Sequence, residues 1–251
     1  VRNYSRARMT LPNLGISAVF PTGRSRGLRS WTLAVVSNQT SQYNYYANAF
    51  GQNSMTSKVA EFAAAAYGCD EGVLSRTDAF DGSDISWDIL TAYQAGMFGS
   101  YGNGADYVGV TEIIDPSGKW HYVPGPLSQN SVTHKWGSKN DVVMNLGLNF
   151  SDKVFVGFNL GLPYARYGYS EAFYESAVNP EQFPIVFMGD DGSEYDTNFL
   201  SASYGYQYLA DVDGVYGKLG VIVTPFEGLR IGAAVQTPAM YTVTEHWQDS
   251  A

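Results

Sequence analysis

The chain has 251 residues, 45% of them hydrophobic and only 16% charged, with 24 acidic side chains against 15 basic ones and a net charge of −9. That balance argues against a phosphate-binding surface, which needs clustered Lys and Arg. The single cysteine, Cys69, excludes an internal disulfide framework and a cysteine-based zinc site.

Aromatics make up 15% of the chain, led by 19 Tyr, and Gly reaches 27. This composition favours short strands over the Ala-, Glu- and Lys-rich helices of a cytosolic α/β enzyme. No apolar run approaches the roughly 18 residues of a transmembrane helix, which excludes a helical membrane protein and leaves a membrane β-barrel open. Val1 begins in mid-pattern, so processing of the N-terminus, or a chain that is part of a longer one, is expected.

Read with a period of two, six strands are predicted in chain order. The first puts Leu14, Ile16, Ala18 and Phe20 on one face and Asn13, Gly15 and Ser17 on the other. A short basic turn, Pro21 to Arg29, leads to the second, where Trp31, Leu33 and Val35 alternate with Thr32, Ala34 and Val36. A long excursion follows, residues 44–131. Within it Ser57 to Tyr67 reads as an Ala-rich helix and Ser83 to Phe98 as a second, with Ser83 or Asp84 as its N-cap.

The third strand carries Val142, Met144, Leu146, Leu148 and Phe150, and Ser151-Asp152-Lys153 turns it into the fourth, with Val154, Val156, Phe158, Leu160 and Leu162. A second excursion spans residues 170–213. The fifth strand, with Leu219, Val221 and Val223, meets the sixth, with Leu229, Ile231, Ala233 and Val235, through Pro225 to Gly228. The alternate faces hold mainly Gly, Asn, Ser, Lys, Arg and Gln.

A soluble sandwich also has one apolar face, so alternation alone does not decide the class. Two features favour a transmembrane antiparallel up-and-down β-barrel, an all-β fold seen here in part, as about six strands with a long helical extracellular loop. One is the short, long, short, long, short rhythm of the connections. The other is the placement of aromatics. Phe20, Trp31, Phe150, Phe155 and Phe226 lie near the short turns, and Tyr43, Tyr45, Tyr46, Tyr164, Tyr167, Tyr169, Tyr241 and Trp247 near the long loops, as two interfacial girdles would.

Sites for chemistry are scarce. His121, His134 and His246 are scattered without metal-ligand spacing. There is no Gly-x-Ser-x-Gly elbow and no phosphate loop, and Gly102-Asn103-Gly104 lacks the strand–turn–helix context of a nucleotide site. Asp190 to Asp196 and Asp211-Val212-Asp213-Gly214 could offer oxygen ligands to Ca²⁺, but neither fits a full Ca²⁺-binding loop, and both read as solvated turns. An enzyme, a cofactor and a metal are therefore not expected.

The order of elements and several segments resemble the FadL/TodX-type outer-membrane transporters of fatty acids and hydrocarbons, especially members from Bacteroidetes. The segments are Pro12 to Ile16, Ser86-Trp87-Asp88-Ile89-Leu90, Tyr216 to Pro225, and Leu229 to Pro238, which ends in Thr-Pro. The resemblance implies uptake of a hydrophobic small molecule, such as a long-chain fatty acid, across the outer membrane of a Gram-negative bacterium. It implies a 14-stranded barrel with an N-terminal hatch; the hatch, its Asn-Pro-Ala segment and the later strands have no counterpart in this sequence. Ligand would be caught at the helical loop and leave sideways through a strand kink.

On that reading Phe62, Tyr67, Trp87, Leu90, Tyr93, Met97 and Phe98 form a groove for an apolar tail, where each buried methylene gains about 0.8 kcal/mol. Packing of the two helices against each other is the competing role for the same side chains. Lys218, Arg230 and Gln236 point into the lumen, where they meet a carboxylate head group or solvate the channel. The partners expected are that ligand, outer-membrane lipid and, if the barrel acts as a docking component of a secretion complex, a surface protein. A soluble β-sandwich binding module is the remaining alternative.

Overall fold

The computed structural model describes residues 11–76, 78–101, 106–188 and 193–251. In chain order these form β1 (Asn13–Pro21), β2 (Leu28–Gln42) and β3 (Tyr45–Asn53), then four short helices, α1 (Lys58–Ala65), α2 (Glu71–Leu74), α3 (Ala79–Gly82) and α4 (Trp87–Gln94). Two small hairpins follow, β4 (Phe98–Tyr101) with β5 (Asp106–Gly109) and β6 (Ile113–Ile114) with β7 (His121–Tyr122). Two very long strands come next, β8 (Leu127–Phe150) and β9 (Val154–Ala177), then the hairpin of β10 (Pro184–Met188) and β11 (Glu194–Asn198). The chain closes with β12 (Ser201–Phe226), β13 (Leu229–Gln236) and β14 (Met240–Ser250).

The fold is all-β around one antiparallel sheet of eight strands, in the order β1-β2-β8-β9-β12-β13, with β3 continuing on β8 and β14 on β12. Among the described residues the sheet is open, ending at β1 and β13. The strands run further than hydropathy alternation shows. β8 and β9 have 24 residues each and β12 has 26, so segments 127–131, 170–177 and 201–213, expected in loops, belong to the ladder. At about 3.3 Å per residue such a strand extends roughly 80 Å.

The short connections are fastened to one another at the turn end. Ser151 and Asp152 both take positive φ, the conformation of a tight type I′ hairpin turn, and Asn149 Oδ1 accepts from the Asp152 N–H at 3.0 Å. Arg29 pairs with Asp152, and the Gly27 N–H donates to Ser151 Oγ at 2.9 Å. Thr224 N–H donates to the Lys153 carbonyl at 2.7 Å.

Register fixes the faces. At the turn end Ile16 stands opposite Val35 and Val35 opposite Met144; Met144 pairs Leu160, Leu146 pairs Phe158, Phe158 pairs Leu219 and Leu219 pairs Val235. This face is apolar over nine-residue stretches, Val142–Phe150, Val154–Leu162 and Val215–Val223, with no described element covering it. Ile16 is 76% exposed, Phe158 50% and Val235 66%. The other face is concave. Thr32, Gly147, Gly157, Gly220 and Ala234 lie in one cross-strand row of a 620 Å³ hollow that also takes in Asn145, Asn159 and Lys218. Phe155 lines this hollow, so it points inward and is not part of an outer girdle.

Beyond Leu162 both faces change character. The outer face becomes mixed, with Ser138, Arg166, Asp211 and Thr244 in one row and Trp136, Gly168, Leu209 and His246 in the next, and the guanidinium of Arg166 donates to Asp211 Oδ1 at 2.6 Å. The inner face becomes aromatic and acidic. Of the aromatics expected in the far girdle, Tyr46 and Tyr164 face out, while Tyr45, Tyr167, Tyr169, Tyr241 and Trp247 face in by register. The expected band at that end is therefore mostly an inner lining. At the handover from β2 to β3, Gly137 has φ +122° and a Cβ there would lie 2.0 Å from the Arg166 carbonyl oxygen, so only glycine fits.

Candidate functional site

The first excursion makes its own core. α1 and α4 are too short to be stable alone and bury their apolar sides against each other and the β4–β5 hairpin. Phe62, Leu90, Met97 and Phe98 are buried there, with Val59, Leu74 and Tyr107. Tyr93 packs on the same cluster and donates its hydroxyl to Glu71 Oε1 at 3.0 Å; burial, then that carboxylate, pushes its pKa up to about 12. Tyr67 is exposed and apart from the cluster. Trp87 is partly exposed and donates Nε1–H to the Phe80 carbonyl at 2.9 Å. The seven residues expected to form one groove thus divide into five that pack the excursion and two at its surface.

The helix starts differ in part from expectation. α1 begins as expected, with Ser57 capping Val59 and Ala60. α4 begins later than the pattern indicated, with Ser86 and not Ser83 or Asp84 at its N-cap.

One buried carboxylate ties the excursion to the wall. Glu175 of β9 is 1% exposed. It accepts from Ser57 Oγ at 2.7 Å, Val59 N–H at 3.0 Å, Lys58 N–H at 3.2 Å and Gln129 Nε2 at 3.0 Å. It therefore supplements the Ser57 cap at the start of α1, where free N–H groups and the helix dipole favour an anion. Phe62 also meets Tyr204 of β12, centroids 4.9 Å apart.

Between the start of α4 and the inner wall lies a 550 Å³ cleft. Trp87 comes from α4 and Trp247 from β14, with ring centroids 6.1 Å apart at 61°. Tyr204 and Tyr206 of β12 and Tyr169 of β9 complete the aromatic surface; Asp88, Glu171 and Asp249 bring carboxylates and Lys58 an ammonium. Tyr204 donates to Asp249 Oδ1 at 2.6 Å, and Tyr169 to Glu171 Oε2 at 2.6 Å. Burial raises the Asp249 pKa above the ordinary carboxylate range, with the Asp88 charge adding and the Tyr204 hydrogen bond opposing. Burial likewise raises Tyr204, and the Glu171 hydrogen bond raises Tyr169 to about 12, so both phenols are neutral donors at pH 7.

The inner-face residues Lys218 and Gln236 pair across β12 and β13 in the row of Asn145 and Asn159, whose side chains hydrogen bond to each other. Lys218 Nζ lies 5.1 Å from the Tyr216 ring centroid. Arg230 is near the turn end of β13, two residues from Gly232 on the same face by alternation.

Of the acidic segments, Asp211 and Asp213 sit within β12 and not in a turn, because the ladder continues through them opposite Arg166 and Tyr164. Asp190, Asp191 and Gly192 lie outside the described residues, as do Gly102, Asn103 and Gly104. His121 Nδ1 lies 2.8 Å from Glu112 Oε1, His134 stacks on Trp136, and His246 stands on β14 opposite Leu209. Among the described residues no three His, Cys, Asp or Glu side chains form a group able to hold a metal.

Sequence reasoning missed the cleft. Its trace was present as period-two alternation, Tyr204-x-Tyr206-x-Tyr208, Glu171-x-Phe173-x-Glu175 and Glu245-x-Trp247-x-Asp249, inside or next to segments taken for loops.

The chain matches no protein-family model, no curated protein and no solved structure.

Proposed function

We propose that this sheet is part of the wall of a β-barrel in an outer membrane, and that the barrel admits small hydrophobic molecules. The observation that carries the reading is the uncovered apolar face. It spans nine residues on β8, β9 and β12, the number a tilted strand needs to cross the hydrocarbon layer, about 9–11. It ends at a polar row containing an ion pair. A sandwich would lay a second sheet on those side chains, and among the described residues none does so. In hydrocarbon the free edges of β1 and β13 must find partner strands, because unpaired backbone groups cost several kcal/mol each there; closure of the barrel is part of the proposal.

Passage rather than anchoring alone is supported by the inner face, where glycine, asparagine, threonine and lysine leave a hollow, and by the likeness to FadL/TodX-type transporters. With Phe62, Leu90, Met97 and Phe98 packed inside the excursion, the reading rests on the hollow of the inner face and not on a groove between the helices.

The test is extraction and reconstitution. Detergent-only extraction, a folded band that shifts on heating, and entry of a fluorescent fatty acid into vesicles containing the protein are the expected results. A protein that remains in solution without detergent ends the barrel reading. A heat-modifiable protein whose vesicles admit the probe no faster than empty ones ends the transport reading alone.

A further inference from the structure

We infer that the cleft between α4 and the inner wall is a binding site for an organic ammonium ion. Its walls are aromatic and set at an angle. Trp247 is 49% exposed on the inner face, and Trp87 leans over it from α4. An indole face attracts a cation through the negative potential above the ring, and it does so best where water is partly excluded. The charge of the cleft agrees, since three carboxylates face one ammonium, and that ammonium is already engaged. Lys58 Nζ lies 3.1 Å from Glu61 Oε1 and 4.8 Å from the Phe62 ring centroid. It also lies 5.9 Å from the centroid of Tyr204, so this part of the molecule already seats one ammonium on its rings.

The carboxylates keep capacity for a second cation. The bonds from Tyr204, Ile89 and Tyr169 fall on Asp249 Oδ1, Asp88 Oδ1 and Glu171 Oε2. Among the described residues no hydrogen bond reaches Asp249 Oδ2, Asp88 Oδ2 or Glu171 Oε1. A carboxylate ligand would enter against these three charges, and a neutral chain would leave the carboxylates without a counter-charge. An alkylammonium head satisfies both the rings and the acids, and 550 Å³ holds one with a short tail. The inference concerns this cleft and does not depend on what the barrel conducts.

The experiment is calorimetric titration of the purified chain, folded in a non-ionic detergent, with choline and with its uncharged isostere 3,3-dimethyl-1-butanol. Choline is expected to bind saturably, about tenfold tighter than the isostere, which is the scale of one desolvated cation–ring contact. Trp247→Ala and Asp249→Asn should each weaken choline at least about fivefold while keeping the heat-shifted band. Trp120→Phe, remote from the cleft, should leave it unchanged.

Equal affinity for the isostere would overturn the inference, as would no saturable heat with the folded wild type. Saturable binding of maltose in place of choline would make the cleft a carbohydrate site and likewise overturn it. Choline binding by a protein whose vesicles admit no fatty acid would uphold this site and remove the transport reading.

Discussion

Phe158 and Arg166 stand on the same face of the same strand, eight residues apart, and live under opposite rules. Around Phe158 the outward neighbours are apolar, with Leu146 and Leu219 exposed beside it, and the nearest inward positions, Gly157 and Asn159, are small or polar. Around Arg166 the outward row is Ser138, Asp211 and Thr244, and the inward side holds tyrosines, tryptophan and acids. One backbone ladder therefore runs through two environments, and the side chains invert at the boundary. A ladder needs only its hydrogen bonds to continue, so strand geometry places no limit on such an inversion. The solvent on each face decides it.

The two regions differ also in what supports them. The far half leans on the excursion, and Phe62→Ala should cost about 4 kcal/mol by opening a cavity in a buried core. Limited proteolysis should then cut between residues 54 and 126 while the heat-shifted band of the wall persists. A wall that unfolds together with the excursion would show that the halves are one cooperative unit.

The turn-end half is expected to depend on lipid. Phe158→Lys, at the middle of the nine-residue band, should cost about 3 kcal/mol on folding into vesicles, as a cation does near the bilayer midplane. Ser170→Lys, on the same face beyond the boundary, should change urea-monitored stability by less than about 0.5 kcal/mol. Equal penalties would erase the distinction between the halves.

Glu175→Ala tests the joint between wall and excursion. Removing the carboxylate leaves the Lys58 N–H and the Ser57 hydroxyl without their acceptor, while Val59 keeps Ser57 Oγ and Gln129 keeps the Thr56 carbonyl, at about 2 kcal/mol. Faster hydrogen exchange confined to α1 and the β3 edge would be the sign of it.

The smallest effect is one of pH. Asp249 has a folded pKa above its unfolded value near 3.9, so folding favours its neutral form. That contribution is present at acid pH and is lost as pH rises from the usual carboxylate range through the raised value. Thermal unfolding of wild type against Asp249→Asn should therefore converge at low pH and separate above it, with Asn the more stable. A constant difference across that range would mean that Asp249 is not perturbed in the folded protein.

How much of this was legible in the residues follows the same boundary. In the turn-end half each strand reads correctly, down to Ile16, Val35, Met144, Leu160 and Leu219 sharing one face, because one face is apolar and the other is not. Past Leu162 both faces mix polar and aromatic groups, so alternation of hydropathy fades although the strand continues, and segments such as Ser201–Asp213 looked like loop. The sense in which Tyr167 or Trp247 points is then set by register counted from the turn, which only the paired backbone supplies. In the excursion, helix positions were visible from Ala-rich and capped segments. Of the two roles weighed for Phe62 and Leu90, groove or helix packing, the eight-residue helices use the second.

The hairpin of β8 and β9 has one more consequence, for the order of assembly. Its 24 pairs are nested without a slip around Ser151 and Asp152, from Phe150–Val154 to Leu127–Ala177. Each new pair closes only a slightly larger loop than the last, so the hairpin can zip outward from its turn with little entropic cost per step. The rows that form first are those of the apolar band. Glu175 and Gln129 meet only in the closing rows, and only then does α1 gain the anion that helps hold its first turn. The excursion is therefore the last part to settle, and a nascent chain presents its apolar band before the excursion is docked.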